Sequence, residues 1–127
     1  MPKTVSLSPL TPKLEPGTDM CPLSYKFKLW MVNEKNEAVF GDGLAKLLEK
    51  IEQHHSVLDA AKELDMSYRY ALHRISLAEE RLGQSLVTRV RGGAKGGGSS
   101  EVTAFGKDLV LQFRRKQAAL SSSINSL

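Results

Sequence analysis

Three apolar stripes at helical spacing follow one another between residues 44 and 82, separated by breaks of only a few residues, and they leave the chain few folds to choose from. Leu44, Leu47, Leu48 and Ile51 stand at i, i+3, i+4 and i+7, which predicts a helix running to about His54, capped by Asp42 or Gly43. Ser56 opens a second helix: Ser56-Val57-Leu58-Asp59 resembles a capping box with Asp in place of the usual Glu or Gln. Its apolar face is Val57, Ala60, Ala61 and Leu64, and at about nine residues it is too short to be stable alone. Asp65-Met66 makes a turn, Ser67 caps a third helix along Ala71, Ile75, Ala78 and Leu82, and Gly83 ends it. A short helix held between two longer ones across tight turns is a helix-turn-helix.

What flanks these helices is β. All five prolines lie in the first 22 residues, where missing N–H groups and restricted predecessors make 1–22 an extended, disordered arm; residues 23–127 form the domain. Residues 25–32 alternate with period two, Tyr25, Phe27, Leu29 and Met31 on one face and Lys26, Lys28, Trp30 and Val32 on the other. With the turn residues 33–36 and the run Ala38-Val39-Phe40, this reads as a hairpin. After Gly83, residues 85–90 read as a strand, Arg91 to Ser100 as a glycine-rich loop, and Glu101-Val102-Thr103 as the return strand: a wing. Thr103 then caps a last helix from Ala104 to about Ser123, with Phe105, Leu109, Phe113, Leu120 and Ile124 along one side. The fold class is mainly α with small β: a winged helix-turn-helix with an N-terminal β-hairpin and a long C-terminal dimerisation helix.

Charge follows this division. The chain carries 18 Lys and Arg against 14 Asp and Glu, and the excess is concentrated in residues 66–100, where Arg69, Arg74, Arg81, Arg89, Arg91 and Lys95 face only Glu79 and Glu80. A basic half of this kind can present one positive face to phosphate. The single cysteine, Cys21, excludes an intrachain disulfide. There is no apolar run of the roughly 20 residues a membrane helix needs, and no signal-peptide h-region, so no membrane partner and a cytoplasmic location are expected.

A helix-turn-helix presents the first turn of its second helix to base edges in the major groove. In the recognition helix 67–83 those positions are Ser67, Tyr68, Arg69, Leu72 and His73. Arginine can pair bidentately with guanine. Ser56 and Ser67 stand at helix N-termini, where free N–H groups and the helix dipole suit a phosphate oxygen. Arg89, Arg91, Lys95 and Ser99 of the wing reach flanking phosphates or the minor groove, while Arg74 and Arg81 read as surface residues. The loop Gly92-Gly93-Ala94-Lys95-Gly96-Gly97-Gly98 is not a phosphate-binding P-loop, because no Gly-Lys-Ser/Thr occurs and a strand rather than a helix follows. Its glycines instead permit close backbone approach to DNA.

The segments Gly43–Ile51, Ser56–Ala71 with its Met-Ser-Tyr-Arg turn, and the Gly92–Gly98 loop followed by Val102-Thr103-Ala104-Phe105-Gly106 resemble, in this order, the N-terminal domain of ModE-type molybdate-responsive transcription regulators. That domain is a winged helix related to the LysR-type DNA-binding domain, and the resemblance covers about residues 26–120. It implies a homodimer held by the first and last helices, with Ser67, Tyr68, Arg69 and the 91–100 wing on double-stranded DNA. ModE-type regulators carry a further C-terminal molybdate-binding domain. This chain reads as the DNA-binding part standing alone, and molybdate binding is not expected from it.

Two other classes of function compete. An enzyme would need a catalytic constellation, and His54, His55, His73 and Cys21 suggest neither a nucleophile pair nor a zinc spacing, so no catalytic residue, metal or cofactor is expected. A winged helix serving only protein interaction or dimerisation would expose an apolar patch near the third helix, whereas a DNA reader is positive there. For the dimer, Leu109, Phe113, Leu120 and Ile124 are the expected interface, because the globular core can absorb only the start of so long a helix.

Overall fold

The computed structural model describes residues 23–90 and 99–126. The arm read over 1–22, with Cys21, and the glycine loop 91–98, with Arg91 and Lys95, lie outside the described residues. The elements run β1 (Trp30–Val32), β2 (Ala38–Gly41), α1 (Asp42–His54), α2 (Val57–Glu63), α3 (Tyr68–Leu82), β3 (Val87–Val90), β4 (Ser99–Val102) and α4 (Ala104–Ser126). β1 pairs antiparallel with β2, and β3 with β4, in two separate two-stranded sheets.

The first hairpin turns on Asn33, whose Oδ1 accepts the N–H groups of Lys35 at 2.9 Å and Glu37 at 3.0 Å. Strand pairing is shorter than the alternating run, starting only at Trp30. The alternation nevertheless sets burial. Phe27, Leu29 and Met31 are half-buried, while Lys28, Trp30 and Val32 face out. Tyr25 breaks the pattern: it lies ahead of the paired residues and is 72% exposed.

β2 runs into α1 without a loop, so the extended residue before the helix is Gly41 rather than Asp42 or Gly43, and it offers no side-chain cap. Asp42 stands inside the first turn, and its carboxylate is drawn across the molecule to Arg114 of α4 at 2.7 Å. Arg114 also grips Glu49 through two hydrogen bonds, at 2.8 and 3.0 Å. The Arg114 guanidinium, with Gln117 and Lys46, holds the Asp42 carboxyl below its ordinary range, against a smaller opposing effect of burial. α1 ends at His55 in the left-handed region, φ 57°.

The caps of α2 and α3 form at the expected serines. Ser56 Oγ accepts from Asp59 N–H and Ser67 Oγ from Tyr70 N–H, both at 3.0 Å. At Ser56 the serine half of the capping box is the half that forms among the described residues; α2 is seven residues long. Gly83 closes α3 at φ 76°. In the wing, Val87 pairs with Val102 and Val90 with Ser99. Ser99 and Ser100, read as loop, therefore belong to β4: pairing continues past Glu101, and Ser100 N–H donates to the carbonyl of His55 at 2.9 Å.

The core lies where α1, α2, α3, β2, the wing and the first half of α4 meet. Leu44, Leu47, Leu48, Ile51, Leu86 and Phe113 are its largest fully buried side chains. Phe113 meets Phe40 edge-on, ring centroids 5.6 Å apart. Two residues expected at a dimer interface are thus core residues of the single chain: Leu109 is 8% exposed and Phe113 1%. The core reaches further along α4 than expected, because the Arg114 ion pairs and the Phe40 contact lay the helix against α1 and β2.

Candidate nucleic-acid interface

α3 buries Ala71, Ile75 and Ala78. At 100° per residue the opposite side of the helix is Arg69, His73 and Ser76, within roughly 60° of one another, and all three are exposed. Among the described residues none of the three side chains meets a hydrogen-bonding or ion-pair partner. Glu80 follows one turn beyond Ser76, so a phosphate is attracted to the N-terminal half of this face and repelled at its far end.

The wing meets the same end of the helix. Arg89 of β3 is exposed and donates from Nη2 to the Tyr68 hydroxyl at 3.3 Å. Tyr68 is 40% exposed and opens α3, so the contact brings a cation of the wing beside the recognition turn. Ser67 is exposed and Ser56 half-buried. Each hydroxyl oxygen is already accepting a backbone N–H, but its own proton remains available to a phosphate oxygen. Five expected site residues therefore cluster around the N-terminal half of α3: Ser67, Tyr68, Arg69, His73 and Arg89.

Two do not. Leu72 is half-buried and packs against the core: it stands at the edge of the outward face, roughly 60° from Ile75, and its apolar side chain lies against the core cluster. Ser99 is half-buried in β4, opposite Val90, rather than at a loop tip. Ser76 was missed, although its spacing of three from His73 and seven from Arg69 marks it as sharing their face. The brace beneath the wing had no sequence signal: Glu79 Oε2 accepts the N–H of Leu86 at 2.7 Å and of Val87 at 3.2 Å, tying the end of α3 to the root of β3.

Behind the face, Lys50 and His54 of α1 hold Glu63 of α2 at 2.6 Å each, and both keep its carboxyl below the ordinary value. His55 Nδ1 lies 3.5 Å from Glu101 of β4. The two adjacent histidines thus reach opposite neighbours, α2 and the wing. Among the described residues no three His, Cys, Asp or Glu side chains gather as a metal site, and no helix is long and apolar enough to cross a membrane.

The sequence model of the bacterial regulatory helix-turn-helix proteins of the lysR family matches residues 44–107, which run from α1 through the wing into α4. The molybdenum transport protein ModE of Azotobacter vinelandii is 34% identical over 86 residues, covering 68% of this chain and 32% of that protein. The molybdenum-pterin-binding protein MopA of Rhodobacter capsulatus is 33% identical over 89 residues, 70% of this chain and 33% of its own. The chain spans about a third of the length of these curated relatives.

Proposed function

Because the chain belongs to the lysR family of bacterial regulatory helix-turn-helix proteins, we propose that it is a transcription regulator of the ModE-like type that binds specific double-stranded DNA as a homodimer. The observation that carries this reading is the outward face of α3. Arg69, His73 and Ser76 are exposed, uncommitted among the described residues, and flanked by Arg89 of the wing. An α-helix fits the major groove, where an arginine can read guanine O6 and N7 and a histidine or serine can exchange hydrogen bonds with base edges. Ser56, Ser67 and Arg89 then meet phosphates on either side, and Arg91 and Lys95 extend the same role along the wing. The family is one of regulators, not enzymes. A purely protein-binding winged helix is disfavoured by the same face, whose centre is polar and cationic.

The homodimer reading rests on the second half of α4. None of residues 114–126 is buried in the single chain, and the stripe that buries Leu109 and Phe113 continues through Leu120, 41% exposed, and half-buried Ile124. A helix whose apolar stripe continues past the core is suited to a two-fold partner, which would space two recognition helices by a DNA turn or a multiple of it.

Fluorescence anisotropy with duplexes selected from a random pool tests the function. Log affinity should fall linearly with log salt, and Arg69→Ala should cost about 1–3 kcal/mol at one base position and relax its preference. No binding at low salt would sink the reading.

A further inference from the structure

The recognition helix has two flanks. Tyr68 and Tyr70 stand one residue to either side of Arg69, so each lies roughly 100° around the helix from it, in opposite directions. Tyr68 faces the wing and meets Arg89. Tyr70, on the far flank, is 47% exposed and meets Arg74, one turn further along α3. Arg74 Nη1 donates to the Tyr70 hydroxyl at 3.0 Å, and the guanidinium carbon lies 5.8 Å from the centre of the Tyr70 ring. The guanidinium also rests against the first turn of α1 at Gly43, where an added Cβ would stand 3.8 Å from both terminal nitrogens. Arg74 is thereby held on the side of the helix instead of trailing into solvent.

No carboxylate among the described residues pairs with it. The acid that lines the same concavity, Asp42, is taken by Arg114 at 2.7 Å and Lys46 at 3.3 Å. Arg81, seven residues on, is different: its Nη1 donates to the carbonyl of Ala38 at 2.8 Å and clamps the hairpin. Of the two arginines on this part of the helix, one closes the fold and the other keeps its remaining N–H donors unused among the described residues.

A helix is about 10–12 Å across, side chains included, and the major groove is about 12 Å wide, so a helix seated there has a phosphate strand against each flank. We propose that Arg74, oriented by Tyr70, contacts a phosphate of the strand opposite the one met by Arg89 and the wing. The α3 helix is then gripped from both sides, and Arg69 is centred between the two strands. The guanidinium fork suits a phosphate, and its pre-orientation on the tyrosine reduces the rotamer freedom lost on binding. This rests on the reading that the outward face of α3 enters the major groove.

The test compares the whole chain with its Arg74→Ala and Arg74→Lys variants on a selected duplex and a scrambled one, across a salt series. Arg74→Ala should lower the slope of log affinity against log salt by about 0.9 for each protomer bound, the value of one lost phosphate contact per half-site, and leave the ratio of selected to scrambled affinity unchanged. Arg74→Lys should restore the slope, which a loss of folding or packing alone would not allow. Uncharged methylphosphonates placed singly along the duplex should reveal one phosphate per half-site, on the strand opposite that sensed by Arg89, whose neutralisation weakens the parent chain but not Arg74→Ala. If the parent binds and Arg74→Ala keeps both its slope and the full methylphosphonate profile, the contact does not exist. If instead the selected-to-scrambled ratio collapses, Arg74 reads bases and the phosphate role is overturned. A parent chain that binds neither duplex overturns the DNA reading itself, and this inference with it.

Discussion

Gly106 brings α4 hard against the root of the wing. It follows Thr103, whose Oγ1 donates to the Ser85 carbonyl at 2.8 Å and accepts Gly106 N–H at 3.0 Å, so one side chain both caps the helix and pins it to the segment that leads into β3. A Cβ on Gly106 would fall 2.8 Å from the Leu86 carbonyl oxygen and 2.8 Å from Val102 Cγ1. The first of these is backbone, already engaged by Thr103 N–H at 2.9 Å, and cannot swing away as a flexible side chain would. Gly106→Ala is therefore an overpacking substitution and should cost about 1–3 kcal/mol. Urea unfolding should show a lower midpoint at unchanged slope; an unchanged midpoint would mean the wing and α4 are further apart than described. The glycine was visible in the sequence as part of Val102-Thr103-Ala104-Phe105-Gly106, but nothing local distinguishes it from a helix glycine that merely weakens its turn.

At the scale of elements, the wing is joined to the recognition helix at both ends of α3. At the start stands Arg89 on Tyr68, and at the end stands Glu79 on the N–H groups of Leu86 and Val87. The second joint is the stronger, since a carboxylate accepting two amide protons is charge-assisted and part-buried. Removing it leaves two donors without their partner. Glu79→Ala should cost about 1.5–3 kcal/mol and accelerate hydrogen exchange at the Leu86 and Val87 amides more than elsewhere in the sheet. Uniform acceleration through the molecule would show that Glu79 supports global stability and does not brace the wing in particular. The caps at Ser56 and Ser67, the stop at Gly83 and the three helical stripes were legible because they rest on interactions within one or two turns of chain. Glu79 reads as an ordinary charged helix residue, because its partners lie on a strand whose position depends on the packed fold.

For the whole molecule, the two halves of α4 do different work. The first half completes the core, and Phe113, 1% exposed, is as much a part of it as Leu48. Truncating a buried phenylalanine costs about 3–5 kcal/mol, a large share of the 5–15 kcal/mol that holds a domain together, so changes at Phe113 report on folding. The second half is where assembly is to be tested. Leu120→Asp should leave the melting curve near that of the parent, because no core contact is lost, while sedimentation changes from twice 14.0 kDa to 14.0 kDa. A parent chain sedimenting at 14.0 kDa at tens of micromolar would remove the homodimer.

The order of elements, the caps at Ser56, Ser67 and Thr103 and the polar first turn of α3 can be read from the chain alone, since spacing and capping act over a few residues and need no knowledge of distant neighbours. Periodicity also says which side chains share a face. It does not say what stands opposite that face, which depends on how the elements pack. Phe113 and Leu120 lie on one stripe, yet Phe40 covers the first and no described residue buries the second. Arg74 and Arg81 are both basic residues of one helix, yet one reaches the hairpin carbonyl of Ala38, 43 residues away in sequence, and the other rests on its own helix's Tyr70. Leu72 looked like a recognition residue by its place in the first turns of α3, and the core drew it in. The contacts of Phe113 with Phe40 and of Arg81 with Ala38 join segments far apart in the chain, and such a partner is fixed only once the helices have packed.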